Sequence, residues 1–211
     1  NTTGDFNVAI GRQALLKNTT ADNSTAVGDM ALCNQTTGSN NVAIGNETLR
    51  NTTTAVSNVA VGVAALCANS TGTDNVAMGR SAMVKNTTGV CNTAVGGNAL
   101  ACNTTGGYNT ASGIDALSAN TTASNNTAFG AEALKKTTTG DTNTAMGVSS
   151  GACNTTGEHL TAIGFEALKA HTTAADNTAV GYRSMLLTTT GACNVAVGFQ
   201  SAQANTTGSC N

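Results

Sequence analysis

The chain has 211 residues, a net charge of −2, only 9% charged and 3% aromatic residues, and neither Pro nor Trp. Leu, Ile, Val and Phe make up fewer than one residue in five, a composition that often accompanies disorder, yet disorder normally carries high net charge, and here Thr, Asn, Ala and Gly fill the chain instead. The weak charge argues against nucleic acid, which wants a basic stripe; no run approaches the ~20 apolar residues of a membrane span, and no segment has the form of a signal peptide.

Twelve glycines, from Gly11 and Gly28 through to Gly198, are spaced 17 residues apart without insertion or deletion. A fixed period of this size marks a solenoid, in which each unit buries its apolar face against the next. It leaves no room for an inserted catalytic loop. Residues 1–211 read as one repeat array, a segment of a longer fibre that begins and ends mid-repeat.

With the repeat glycine as position 0, the first element of each unit is a pentad of the form Asn-(Val/Thr)-Ala-(Val/Ile)-Gly, as in Asn41 to Gly45. Position −2 is Ala in all twelve units, and position −1 is Val, Ile, Met or Phe in all but one, where Ser112 stands. β-Branched residues two apart suit a short strand with one buried face. Next, a small residue at +3 and Leu or Met at +4 in ten units predict a second, shorter strand with one large anchor; Gly151 and Ala202 are the exceptions. Thr-Thr at +8 and +9, followed by Gly or Ala, predicts a turn whose side chains cap the backbone. All twenty charged side chains fall at +1, +2, +5, +6, +11 or +12, the pattern of a solvated rim. A helix is the rival reading for the Ala-Leu pair, but the recurring Thr, Asn and Gly do not sustain one.

These elements predict an all-β fold, a parallel β-solenoid of twelve 17-residue repeats. Stacking at about 4.8 Å would make it roughly 55–60 Å long. Each coil buries only about two large apolar side chains, worth ~3–6 kcal/mol, against ~17 kcal/mol or more of backbone entropy. The strand also carries Ala on one face and Val or Ile on the other. One face can fill the coil while the other meets a neighbouring chain, so a parallel homo-oligomer is expected.

The pentads Asn41–Gly45 and Asn58–Gly62 resemble the head repeats of YadA-like trimeric autotransporter adhesins. The longer unit, with Asn143–Gly147 followed by the Asn-Thr-Thr-Gly turn at Asn154–Gly157, is similar to repeats in phage and viral tail fibres. The resemblance spans essentially the whole chain and implies a homotrimeric left-handed β-roll, used as a stiff extracellular stalk or head on a cell or virion surface. The unit departs from the adhesin repeat in its added Thr-Thr-Gly turn.

Seven cysteines lie at rim positions. Cys193 and Cys210 share position +12 one repeat apart, where stacking would bring their Cα atoms within disulfide range; a disulfide there implies an oxidising, extracellular setting. No metal set is evident, because no Cys-x-x-Cys pair occurs and His159 and His171 stand apart from the cysteines in sequence. Asn-x-Ser/Thr sequons recur at Asn18, Asn51, Asn86, Asn103, Asn120, Asn154 and Asn205, and are candidate glycosylation sites whose Asn-Thr-Thr the turn itself requires. Phe165, Tyr182 and Phe199 share position +1 in three successive units and form a candidate surface aromatic ladder for a carbohydrate. The paired Thr columns invite an ice-binding reading, although neighbouring threonines on a strand point to opposite faces. No catalytic residues and no cofactor motif stand out from the repeat.

The leading expectation is a structural extracellular fibre segment acting as a rigid attachment spacer, with a host-surface or carbohydrate receptor as its partner. Two others follow from the same residues: a self-assembling extracellular filament subunit, and a monomeric solenoid that binds ice or carbohydrate.

Overall fold

Each of the twelve pentads forms a three-residue strand in the computed structural model, which describes residues 1–211. In chain order they are β1 (Val8–Ile10), β2 (Thr25–Val27), β3 (Val42–Ile44), β4 (Val59–Val61), β5 (Val76–Met78) and β6 (Thr93–Val95). They continue as β7 (Thr110–Ser112), β8 (Thr127–Phe129), β9 (Thr144–Met146), β10 (Thr161–Ile163), β11 (Thr178–Val180) and β12 (Val195–Val197). All twelve join in one parallel sheet in sequence order. Every pairing sets a residue against its equivalent one repeat on, as Ala43 against Ala60 and Ala77 against Ala94. The chain is a parallel β-solenoid with a 17-residue coil and no helix.

The second strand expected at +3 and +4 does not form. Positions +1 to +6 make a continuous turn in which +2 and +4 both have positive φ, as at Glu47 (55°) and Leu49 (50°). The left-handed backbone at +4 aims each Leu or Met straight into the coil, and those from Leu32 to Met185 are fully buried. An L-residue pays about 1–2 kcal/mol for that conformation, which burial of a whole Leu side chain offsets.

The repeat glycine has a different reason. Its φ is +130° at Gly62 and +131° at Gly96, which places the chain so close to the next coil that a Cβ on Gly96 would lie 2.6 Å from the carbonyl oxygen of Gly113. No side chain fits there, so the corner after the strand is glycine in every unit.

The interior divides into an apolar half and a polar half. Ala at −2, Ala at +3 and Leu or Met at +4 supply a continuous core of 28 buried residues along the solenoid. The other half is a pair of buried columns at −4 and +7, mostly asparagine. At −4 each side-chain oxygen accepts the backbone N–H of its successor, as Asn58 N–H to Asn41 Oδ1 at 3.0 Å and Asn75 N–H to Asn58 Oδ1 at 3.1 Å. At +7, Asn86 donates to Asn69 Oδ1 at 2.9 Å and Asn103 to Asn86 Oδ1 at 2.8 Å. Where Ser24 shortens the −4 column, Gln35 at +7 reaches across and donates to Ser24 Oγ at 2.9 Å. Of 145 backbone hydrogen bonds only 22 lie within the strands, so the turns carry most of the coil-to-coil cohesion.

Candidate functional site

With the interior filled, chemistry is confined to the outside of the coil, and no pocket opens on it. The strand turns Ala inward at −2 and therefore presents −3 and −1 outward. Ile44, Met78, Phe129, Met146 and Ile163 at −1 are all exposed. Position +1 lies beside this column, since only the corner glycine separates the two. In the first six units +1 carries Arg12, Asp29, Asn46, Val63, Arg80 and Gly97, of which only Val63 is a large apolar residue; from Ile114 onward it carries Ala131, Val148, Phe165, Tyr182 and Phe199. Apart from Val63, the exposed apolar stripe is thus one column wide along the first half and two columns wide along the second.

Phe165, Tyr182 and Phe199 stack as one ladder. Their ring centroids are 5.5 and 5.3 Å apart, with planes 11° and 8° from parallel. Arg183 sits beside the ladder, its Cζ 5.8 Å from the Phe165 centroid and 5.1 Å from that of Tyr182. Its Nε donates to Glu166 Oε2 at 2.8 Å, and Lys169 Nζ donates to Glu166 Oε1 at 2.6 Å. The Lys169 bond first, and Arg183 after it, hold the Glu166 carboxyl below its ordinary range. Sugar rings stack on open aromatic faces; here Tyr182 has a ring over each face, and Phe199, at the end of the ladder, is the most exposed of the three.

The asparagines of the sequons have an interior role. Asn18, Asn86, Asn103, Asn120 and Asn154 are buried. Each donates Nδ2 to the carbonyl three residues on, as Asn103 to Gly106 O at 2.9 Å and Asn154 to Gly157 O at 3.0 Å. A glycan on Nδ2 has no exit from the folded coil at these five positions, which corrects the expectation for them. Asn51 and Asn205 are half-exposed. The two Thr columns also separate. At +8 the hydroxyl donates to the carbonyl of the next coil, as Thr104 to Thr121 O at 2.9 Å. The +9 threonines are exposed throughout.

All seven cysteines are free thiols. Cys33 and Cys67 are buried, and burial pushes the Cys67 thiol above its ordinary range. Cys193 and Cys210 are exposed and adjacent. The Cys193 thiol is raised by partial loss of water contact, then by Cys210 and Asp176 beside it. No three His, Cys, Asp or Glu side chains are gathered around one point.

His171 is the position that a reading by residue type missed. It replaces Asn at +7 and is buried, with Nδ1 3.3 Å from Asn154 Oδ1 and Nε2 3.3 Å from Asn177 Nδ2. Those partners assign the ring proton to Nδ1, and burial pushes the imidazole down to about 4. Its register, shared with the asparagine column, was the available signal. Comparison with protein-family models, with curated proteins and with solved structures returns no match.

Proposed function

We propose that this chain is a rigid structural fibre segment on a cell or virion surface, formed by parallel copies joined along their strand faces. The observation that carries this reading is the exposed apolar stripe at −1 and +1. Its exposed residues amount to on the order of 1,000 Å² of apolar surface, above the ~300–600 Å² of the largest patch on an ordinary monomer and enough for the ~800 Å² that one partner contributes to a standard interface. No charged residue occupies any position from −4 to 0. The stripe also keeps one 17-residue period along the solenoid, so a second copy in the same direction and register sets each coil against its own equivalent. A stripe one or two side chains wide suits chains meeting about a common axis, and this supports a trimer over a broad face-to-face pair. The resemblance to adhesin and tail-fibre repeats points the same way.

Sedimentation equilibrium and electron microscopy test the reading. Three parallel chains about a long axis are expected at micromolar concentration. The double variant Phe129→Asp with Met146→Asp should release monomers that keep the far-ultraviolet spectrum of the parent. A parent that sediments as a monomer at that concentration removes the proposal.

A further inference from the structure

Position +12 of four successive coils carries His159, Asp176, Cys193 and Cys210, one above another. We propose that this column binds one thiophilic divalent cation, Zn²⁺, through the Cys193 and Cys210 thiolates and the Asp176 carboxylate, with His159 holding that carboxylate in place.

The scaffold fixes the column. All four residues have left-handed backbone, with φ of 55°, 60°, 56° and 58°. The N–H of each of the last three donates to the preceding coil, Asp176 to Glu158 O at 3.1 Å, Cys193 to Ala175 O at 3.2 Å and Cys210 to Ala192 O at 3.0 Å. The side chains therefore leave the coil in a common direction, and all four residues are exposed. His159 Nδ1 is 3.3 Å from Asp176 Oδ1, and both Asp176 and Cys210 are close enough to act electrostatically on the Cys193 thiol between them.

The donor set is two sulfurs and one carboxylate oxygen, which suits Zn²⁺ at about 2.3 Å to sulfur and about 2.0–2.2 Å to oxygen, with water in the fourth place. Cys193 is the middle member. A cation seated on it lies within reach of both flanking side chains, which need lean only a couple of ångströms across a coil spacing of about 4.8 Å. The three groups do not converge beforehand, so side-chain rotation is part of binding, and exposed side chains rotate readily. The same spacing disfavours a disulfide. Stacked side chains with parallel Cα–Cβ bonds keep their Cβ atoms about as far apart as the coils, outside the ~3.5–4.5 Å that a disulfide takes. A bridging cation spans that gap without drawing the coils together.

Binding is a proton exchange: the cation forms two metal–sulfur bonds, and the two thiol protons leave to solvent, so affinity rises with pH. Cys91 occupies the same position six coils before Cys193, between Asp74 and Tyr108, and lacks the second thiol. It serves as an internal control.

The test is a titration of the whole reduced chain with Cd²⁺ as a spectroscopic probe, oxygen excluded, followed by competition with Zn²⁺. A thiolate-to-cadmium charge-transfer band should saturate at one equivalent, with two protons released per cation, and Zn²⁺ should displace it. Cys193→Ser should abolish the band, Asp176→Asn should weaken binding by about 10–100-fold, and Cys91→Ser should leave it unchanged. Circular dichroism confirms that each variant keeps its coils. The proposal fails if the fully reduced chain gives no band, if the band survives Cys193→Ser, or if Asp176→Asn binds as tightly as the parent.

Discussion

Asn120 donates Nδ2 to Asn103 Oδ1 at 2.8 Å, yet its own Oδ1 is buried and has no partner. The four-asparagine run from Asn69 stops there because the next residue in the column is Thr137, whose shorter side chain does not extend the run. An unpaired buried acceptor costs about 1–3 kcal/mol. Thr137→Asn should recover about 1 kcal/mol by continuing the column, seen as a higher denaturant midpoint. An unchanged or lower midpoint would show that the column does not propagate through that coil.

Two adjacent glycines separate steric need from mere occurrence. A Cβ on Gly96 meets the Gly113 carbonyl at 2.6 Å with φ of +131°, whereas one on Gly97 meets nothing within 4 Å. Gly96→Ala should cost more than about 3 kcal/mol, and Gly97→Ala should stay within about 0.5 kcal/mol of the parent. Equal midpoints for the two variants would contradict the close coil contact.

Leu117 is fully buried at φ of 51°. A left-handed backbone tolerates an unbranched side chain far better than a β-branched one. Leu117→Met, which copies Met83 and Met185, should be mild, while Leu117→Ile should cost about 2 kcal/mol more despite its similar volume. Thermal melts of the pair decide this, and a reversed order would point to an extended backbone at +4.

The neutral, buried His171 gives the chain an acid sensitivity. Its folded value is about 4, against an ordinary 6.5. Between those values the unfolded chain binds the proton more readily. The contribution is therefore fully present above about pH 6.5 and declines as pH falls toward 4, by about 3 kcal/mol in all. His171→Asn restores the usual occupant of the column and should flatten this part of the stability profile. If parent and variant lose stability in parallel, another group is responsible.

The period, the strands and their parallel pairing are legible in the sequence because a glycine corner and an inward Ala recur without a gap. The backbone at +4 is not. Leu and Met are not residue types that favour a left-handed conformation, so a small residue followed by a large one reads as an anchor strand, and only the packed coil imposes the turn. The polar half of the interior is hidden for a related reason. Asparagine is usually exposed, and Asn103 or Asn154 in an Asn-Thr-Thr run reads as a turn cap or a sequon; only stacking, which lets each amide satisfy the next, makes burial affordable. Similarly, His159 and Cys193 are two coils apart in one column but 34 residues apart in sequence, so their shared position emerges only when the chain is read by register.

Because each coil pairs Ala with Ala and glycine with glycine one repeat on, the joint between any two coils is nearly interchangeable with every other. Removing or duplicating one whole coil leaves each column continuous and changes the reach of the rod by a single step. Losing one residue within a coil throws every later column out of phase with the earlier ones. Length in such a molecule is quantised: its gene can lengthen or shorten the rod by whole units of 51 bases without redesigning the cross-section.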